Sequence, residues 1–210
     1  MPKKIQNLVI KRLFGYFEQL TLMQRKHIEY VFSKTLADVT GVTSFQVRRD
    51  LSLFGSFGHT RLGYNVIELA RRIRNILGMD ETHNVAIIGA GNLGSALASY
   101  PGFARNLFNV CLIFDQDRKK IGKKIGRLIV ESINALPVQL KNHKIEIVVL
   151  TLPDENVQDV VNRCIKNGIR YFFSFSSVRL QVPAQVVVQY ENTTVPLSIL
   201  SYHIKNQFGK

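Results

Sequence analysis

The stretch "NVAIIGAGNLGSAL", residues 84–97, decides how this chain folds. An apolar run of strand length enters Gly89-Ala90-Gly91-Asn92-Leu93-Gly94, and helical spacing follows. In such a strand–turn–helix unit the first glycine permits the tight turn and the second lets backbone approach a pyrophosphate. The third lets the helix pack closely on the strand. The N–H groups at the helix start then face the phosphates. Further on, "NVCLIFD" (109–115) ends in Asp115, 21 residues after Gly94, the place of a carboxylate that accepts hydrogen bonds from the adenosine ribose hydroxyls. A carboxylate there repels a 2′-phosphate, so NAD(H) is expected over NADP(H). Against this stands "DRKKIGKKIGR" (117–127), with six basic residues in ten positions. Such a run can hold a phosphate but is more often a solvated face. The bland alternative, a strand–turn–helix that holds no ligand, is disfavoured by the acid that follows.

Working outward, apolar runs alternate with helical patterns from residue 84 onward: "IEIVVLTLP", "DENVQDVVNRCIKNG", "IRYFFSF". Near-continuous Val/Ile/Leu strands between helices predict a parallel sheet covered on both faces. A dehydrogenase would need a general acid or base near the nicotinamide. His27, His59, His83, His143 and His203 are not expected at the C-terminal end of a strand, where open α/β sheets bind ligands. Residues 84 to about 190 are absorbed by the nucleotide fold itself, and no catalytic residue is assigned. Lysines and tyrosines stay open as catalysts.

The 210 residues carry a net charge of +13 and a pI near 10.0, which favours a polyanionic partner. At 46% hydrophobic, the chain has material for one domain or two small ones. Cys111 and Cys164 sit in apolar runs and read as small hydrophobes. No Cys/His grouping has zinc spacing, and neither a signal-peptide core nor a membrane span is legible. A cytoplasmic protein without a metal or a membrane partner is expected.

Ahead of residue 78 the pattern is mostly helical. "NLVIKRLFGYFEQLTLM" (7–23) places Leu8, Val9, Leu13, Phe17 and Leu20 at helical spacing. "IEYVFSKTLADVTGVTSFQVRRDLSLFG" (28–55) predicts two short helices about a turn at Gly41. "SFGHTRLGYNV" (56–66) suits a hairpin. After Asn65, an N-cap, Val66, Leu69, Ala70, Ile73, Ile76 and Leu77 predict an amphipathic helix that Gly78 ends. "GMDETH" (78–83) is the joint, giving a helical domain over 1–78 and an α/β domain over 79–192. The segment 193–210 contains one more helix, expected to dock elsewhere.

Within the first domain, Ala37, Val42, Val47 and Leu51 give the buried spacing of a helix-turn-helix, with residues 44–53 as the recognition helix. Ser44 or Thr43 caps its start, and Gln46, Arg48 and Arg49 project from the other side. Glutamine reads adenine and arginine reads guanine in the major groove. "GHTRLGY" (58–64) would be a wing, with His59 and Arg61 reaching the minor groove or phosphates. A small basic oligomerisation domain is the competing reading.

"VTSFQVRRDLSLFGSFG" (42–58), "RLGYNV" (61–66), "GAGNLGSALASYPGF" (89–103) and "LSYHI" (200–204) resemble the Rex family of bacterial redox-sensing transcriptional repressors, and the motifs fall in that family's order. The resemblance implies a homodimer with an N-terminal winged helix-turn-helix, a C-terminal Rossmann-like parallel-sheet domain and a last helix swapped onto the partner. It further implies that NADH releases a palindromic double-stranded operator while NAD+ permits binding. Carried over, the family's cofactor residues fall at Gly89–Gly94, Asp115, Tyr100 near the nicotinamide, Thr151-Leu152-Pro153, and the segment with Phe175 and Ser176. This chain departs from the family at Ser174-Phe175-Ser176-Ser177, where Asn-Phe-Ala-Pro is usual. Glu18 stands where some members have arginine, and Asn192 where many have aspartate. A small NAD-dependent oxidoreductase with a basic accessory domain, or a regulator answering to another nucleotide, are the alternatives.

Overall fold

The computed structural model describes residues 5–57 and 62–207. The chain divides into two compact units, Met1–Glu81 and Thr82–Lys210. The first contains α1 (Asn7–Arg25), β1 (Tyr30–Val31), α2 (Ser33–Thr40), α3 (Ser44–Ser52), β2 (Tyr64–Asn65) and α4 (Val66–Ile76). Helix α1 buries Val9, Leu13, Tyr16, Leu20 and Met23, a stripe at three- and four-residue steps. Leu8, expected on that face, is 61% exposed; Tyr16 and Met23 complete the stripe instead. Helix α4 buries Val66, Leu69, Ala70 and Ile73, and the Asn65 side chain accepts from the Glu68 N–H. Gly78 follows in the left-handed region, at φ +66°, which closes the helix.

One expectation changes here. Tyr30 and Val31, expected in a helix, form a strand that pairs antiparallel with Tyr64–Asn65. An aromatic and a β-branched residue take the extended form readily, and their partner lies far along the chain, so local spacing could not reveal the pairing. Of the expected wing, residues 58–61, with His59 and Arg61, lie outside the described residues.

The second unit runs β3 (His83–Ile88), α5 (Asn92–Ala98), α6 (Pro101–Arg105), β4 (Phe108–Asp115), β5 (Lys124–Ile125), β6 (Leu128–Ser132), a 3-10 turn (Ile133–Ala135), α7 (Leu136–Asn142), β7 (Ile147–Leu150), α8 (Asp154–Lys166), β8 (Tyr171–Ser174), β9 (Val187–Tyr190) and α9 (Thr194–Gln207). The sheet order is β5-β6-β4-β3-β7-β8-β9. All neighbours are parallel except β5, which pairs antiparallel with β6 at the edge. The chain reverses its direction of travel across the sheet between β3 and β7, so the strand ends there open a crevice where ligands of such sheets bind.

Alternation along the strands builds a core on each face. Val85 and Ile87 pack with Val110, Ile113 and Val130. Ala86 and Ile88 pack with Leu112, Phe114, Leu150, Val161 and Cys164 on the other face. The register against β4 slips between Val85 and Ala86, so Cys111 falls in a bulge. There its Sγ lies 3.7 Å from the Val85 carbonyl, and it is half-buried, less enclosed than its apolar run predicts. Cys164 is fully buried, which pushes its thiol up to about 12. Helix α9 keeps Val195, Leu197, Ile199, Leu200, Tyr202 and Ile204 exposed. No helix among the described residues is long and apolar enough to cross a membrane.

Candidate functional site

Strand β3 delivers Gly89 to the crevice, where its N–H donates to the Phe114 carbonyl at 2.8 Å. At φ +109° a side chain is strained, and a Cβ would lie 2.5 Å from the Thr151 carbonyl oxygen. Gly94 is tighter still: a Cβ would sit 1.8 Å from the Gly89 carbonyl oxygen and 2.7 Å from Thr151 Oγ1. The Thr151 hydroxyl donates into the same knot, with its oxygen 2.8 Å from Gly89 O and 3.1 Å from Ile88 O. Gly91 is the opposite case, since a Cβ there meets nothing within 4 Å. Two glycines thus weld loop to helix, and the third has open space where a side chain would stand. That is the division of labour a pyrophosphate cradle requires. Asn92 opens α5, and Leu93 is exposed beside it.

Asp115 ends β4 and is only 6% exposed. Its Oδ2 accepts from the Ala90 N–H at 2.8 Å and from Lys120 Nζ at 3.0 Å; its Oδ1 accepts from the Asp117 N–H at 2.9 Å. Burial opposes its ionisation, but these donors outweigh burial and hold the carboxyl below its ordinary range. The acid therefore ties the glycine loop to the turn after β4. Lys120, which the sequence placed in a solvated charge run, sits on it as a counter-charge.

Across the crevice, Phe175 N–H donates to the Leu150 carbonyl at 3.0 Å, and the Phe173 and Phe175 ring centroids are 4.7 Å apart. Leu152 packs on the core, leading to Pro153 and α8. Ser176 donates to Asp154 Oδ1 at 2.6 Å, and Ser177 donates to Asp154 Oδ2. Hydrogen bonds from both serines lower the Asp154 carboxyl from its usual range. The serines that depart from the family pattern thus close the end of β8 onto the start of α8. Tyr100 stands before α6 with its ring packed over Gly102, where a Cβ would lie 2.2 Å from the ring. It meets Phe103 edge-on at 5.5 Å and stays 56% exposed. Asn192 Oδ1 accepts from the Thr194 N–H and hydroxyl at 3.0 and 2.6 Å, serving the first turn of α9. Glu18 is exposed on α1.

The other candidate surface is α3. Thr43, and not Ser44, caps it, accepting from the Gln46 N–H at 3.1 Å. Val47 and Leu51 are buried, as is Asp50, at 1% exposure. Arg12 grips the Asp50 carboxylate with Nε at 2.6 Å and Nη2 at 2.7 Å. Tyr16 donates its hydroxyl at 2.9 Å, and Gln46 Nε2 donates at 2.7 Å. Burial works against the Asp50 charge, yet the donors Arg12, Gln46 and Tyr16 keep its carboxyl below the usual range. Burial beside Asp50 pushes the Tyr16 phenol well above its own range. Gln46, expected to project freely, is thus half-buried and tethered. Arg48 is exposed and donates to Ser33 Oγ at 3.1 Å, and Arg49 is exposed. Arg12, Tyr16 and Lys120 were not anticipated: their partners lie on other elements, and no local spacing marks them. His83 opens β3, at the end opposite Gly89, with Nδ1 3.1 Å from Glu146 Oε2. Among the described residues no group of three His, Cys, Asp or Glu could hold a metal.

Residues 80–178 match the family model "CoA binding domain", and residues 4–52 match "Putative DNA-binding protein N-terminus". The redox-sensing transcriptional repressor Rex of Thermosipho africanus is 42% identical over 205 residues, covering 98% of each chain. That of Clostridioides difficile is 40% identical over 203 residues, 97% of each. Among solved structures, RSP in complex with β-NAD+ and operator DNA is similar at a TM-score of 0.92 and 34% identity, covering 98% of this chain and 94% of that one. RSP in complex with β-NADH gives 0.90 and 33%, covering 98% and 96%. With relatives this similar over nearly all of its length, the chain belongs to the Rex family of redox-sensing transcriptional repressors.

Proposed function

We propose that this chain is a cytoplasmic, homodimeric repressor that senses the NADH/NAD+ ratio, and that NADH in the crevice releases a palindromic operator. The observation that carries the reading is the pairing, in one chain, of an open glycine cradle at Gly91 with a helix-turn-helix whose Arg48 and Arg49 lie in solvent. Relatives named redox-sensing transcriptional repressors are similar to it over nearly their whole length, which supports the reading. Residues 1–78 form the DNA-binding part, 79–192 the NAD(H) domain, and 193–210 a helix exchanged between subunits. Helix α9 leaves Val195, Leu197, Ile199, Leu200, Tyr202 and Ile204 exposed, and a contiguous apolar surface of that kind marks a protein contact, which supports that exchange.

Gly89–Gly94 would hold the pyrophosphate, and Asp115 with Lys120 the adenosine ribose. Tyr100, Thr151-Leu152-Pro153, Phe175 and Ser176 would bound the nicotinamide end. Bound NAD(H) supplies no reaction here; the chain acts as a binding protein, not an enzyme. Ser44, Arg48 and Arg49, together with His59 and Arg61, would face the operator, and Gln46 would stand at the flank, held by Asp50. NADH must favour the dimer form whose recognition helices no longer match the two half-sites, because equal affinity for both forms shifts nothing. The test is fluorescence anisotropy of a labelled palindromic duplex from upstream of the chain's own gene. Salt is held constant while NADH and NAD+ are titrated separately. Release by NADH at concentrations where NAD+ does little is the expected result. Binding indifferent to both nucleotides would overturn the reading.

A further inference from the structure

The residues that α3 leaves in solvent include one that neither charge nor core packing explains. Phe45 lies in the first turn of the helix and is 65% exposed. With about 3.6 residues per turn, Phe45, Arg48, Arg49 and Ser52 share one face, opposite the buried Val47, Asp50 and Leu51. An aromatic ring therefore stands in water between two exposed arginines. Arg48 leans toward α2 through Ser33, and Gln46 is drawn off to the flank by Asp50. Phe45 is left as the exposed apolar side chain on the helix's N-terminal half, the part of a recognition helix that meets base edges.

We propose that Phe45 is a base-reading residue, packing against the C5-methyl group of one thymine in the major groove of each half-site. This rests on the DNA-binding reading above. The flanking arginines select a polyanion as the partner of this face. In the major groove the thymine methyl is the one apolar group displayed on a base edge, and a phenyl ring is among the side chains that contact it. The ring also adds specificity without charge: it reads a methyl group that guanine, adenine and cytosine do not present there.

The experiment uses the full-length protein and a duplex that it selects from a random-sequence library. Each thymine of the selected half-site is replaced in turn, symmetrically in both halves, by deoxyuridine, which removes only the methyl group. Affinities are measured by anisotropy at several fixed salt concentrations. For the native chain, one position should weaken binding by about fourfold per half-site, the worth of one buried methyl group. Phe45→Ala should bind the thymine and deoxyuridine duplexes equally at that position. Phe45→Leu should restore part of the discrimination, and the salt slope should stay unchanged because no phosphate contact is lost.

A Phe45→Ala protein that keeps the native penalty at every position would overturn the inference while leaving DNA binding intact. So would a selected half-site without a methyl-sensitive thymine. So would Phe45→Ala altering the oligomeric state in sedimentation, which would assign the ring to a protein contact. Enrichment of no duplex at all would overturn the DNA-binding reading itself, and this inference with it.

Discussion

Replacing Arg12 by methionine should loosen the first unit and leave the second untouched. The substitution removes both guanidinium donors, at 2.6 and 2.7 Å, from a carboxylate that is 1% exposed. Tyr16 and Gln46 still donate to Asp50, so the acid stays hydrogen-bonded but loses its counter-charge. Removing one partner of a buried ion pair costs about 3 kcal/mol or more, and Arg12 keeps some contact with solvent, which favours the low end. Such a loss speeds amide exchange through unfolding of this unit by roughly two orders of magnitude. Hydrogen exchange read peptide by peptide separates the two units. Peptides from α1 and α3 should exchange faster, and those from β3, β4 and β7 should not change. Replacing the group with apolar side chains of similar volume, as Arg12→Met with Tyr16→Phe and Asp50→Leu, should recover at least half of the loss, because no charge or hydroxyl is then stranded. Exchange in α1 and α3 within a factor of about two of the native rate, where a surface substitution would leave it, would refute the account. So would a triple variant less stable than Arg12→Met alone.

The remaining predictions concern pH, the cradle, the ribose acid and the last helix. Asp50 and Asp115 both have carboxyls depressed on folding, so their stabilisation is full above the unfolded value of about 3.9 and is lost as pH falls through the folded values. Urea midpoints should drop below about pH 4, and the drop for the first unit should flatten in Asp50→Asn; an equally steep drop in that variant would count against it. Gly94→Ala drives a Cβ toward the Gly89 carbonyl and should abolish NADH binding, seen by nicotinamide fluorescence, while operator binding without nucleotide persists. Lys120→Met removes the ammonium 3.0 Å from Asp115, leaving the carboxylate uncompensated toward a 2′-phosphate. NADPH affinity, measured by calorimetry, should fall several-fold more than NADH affinity. Leu197→Asp with Leu200→Asp should shift the protein to monomer in sedimentation equilibrium and weaken operator binding; an unchanged dimer would remove α9 from the interface.

Helix α4 shows how far local information reaches. Its cap at Asn65, its buried positions from Val66 to Ile73 and its end at Gly78 are all set within one segment, and they stand in the structure as the spacing predicts. The glycine run behaves likewise, since a tight turn, an open approach and a close helix contact each demand a missing side chain at a set position. The α/β class follows from the alternation of strand and helix patterns, and the helix-turn-helix from Ala37, Val42, Val47 and Leu51, of which Val42 is only partly buried. Properties that depend on two distant segments were not legible. The strand at Tyr30–Val31 exists because Tyr64–Asn65 comes alongside. Asp50 reads in sequence as one more polar residue on a basic helix. Only the approach of α1 makes it a buried anion held by Arg12 and Tyr16 and a tether for Gln46. Asp115 was legible as an acid after a strand, but its grip on Ala90, Asp117 and Lys120 was not. Hydrophobic period and backbone freedom are encoded residue by residue along the chain, whereas a buried charge takes its meaning from whichever groups folding places around it.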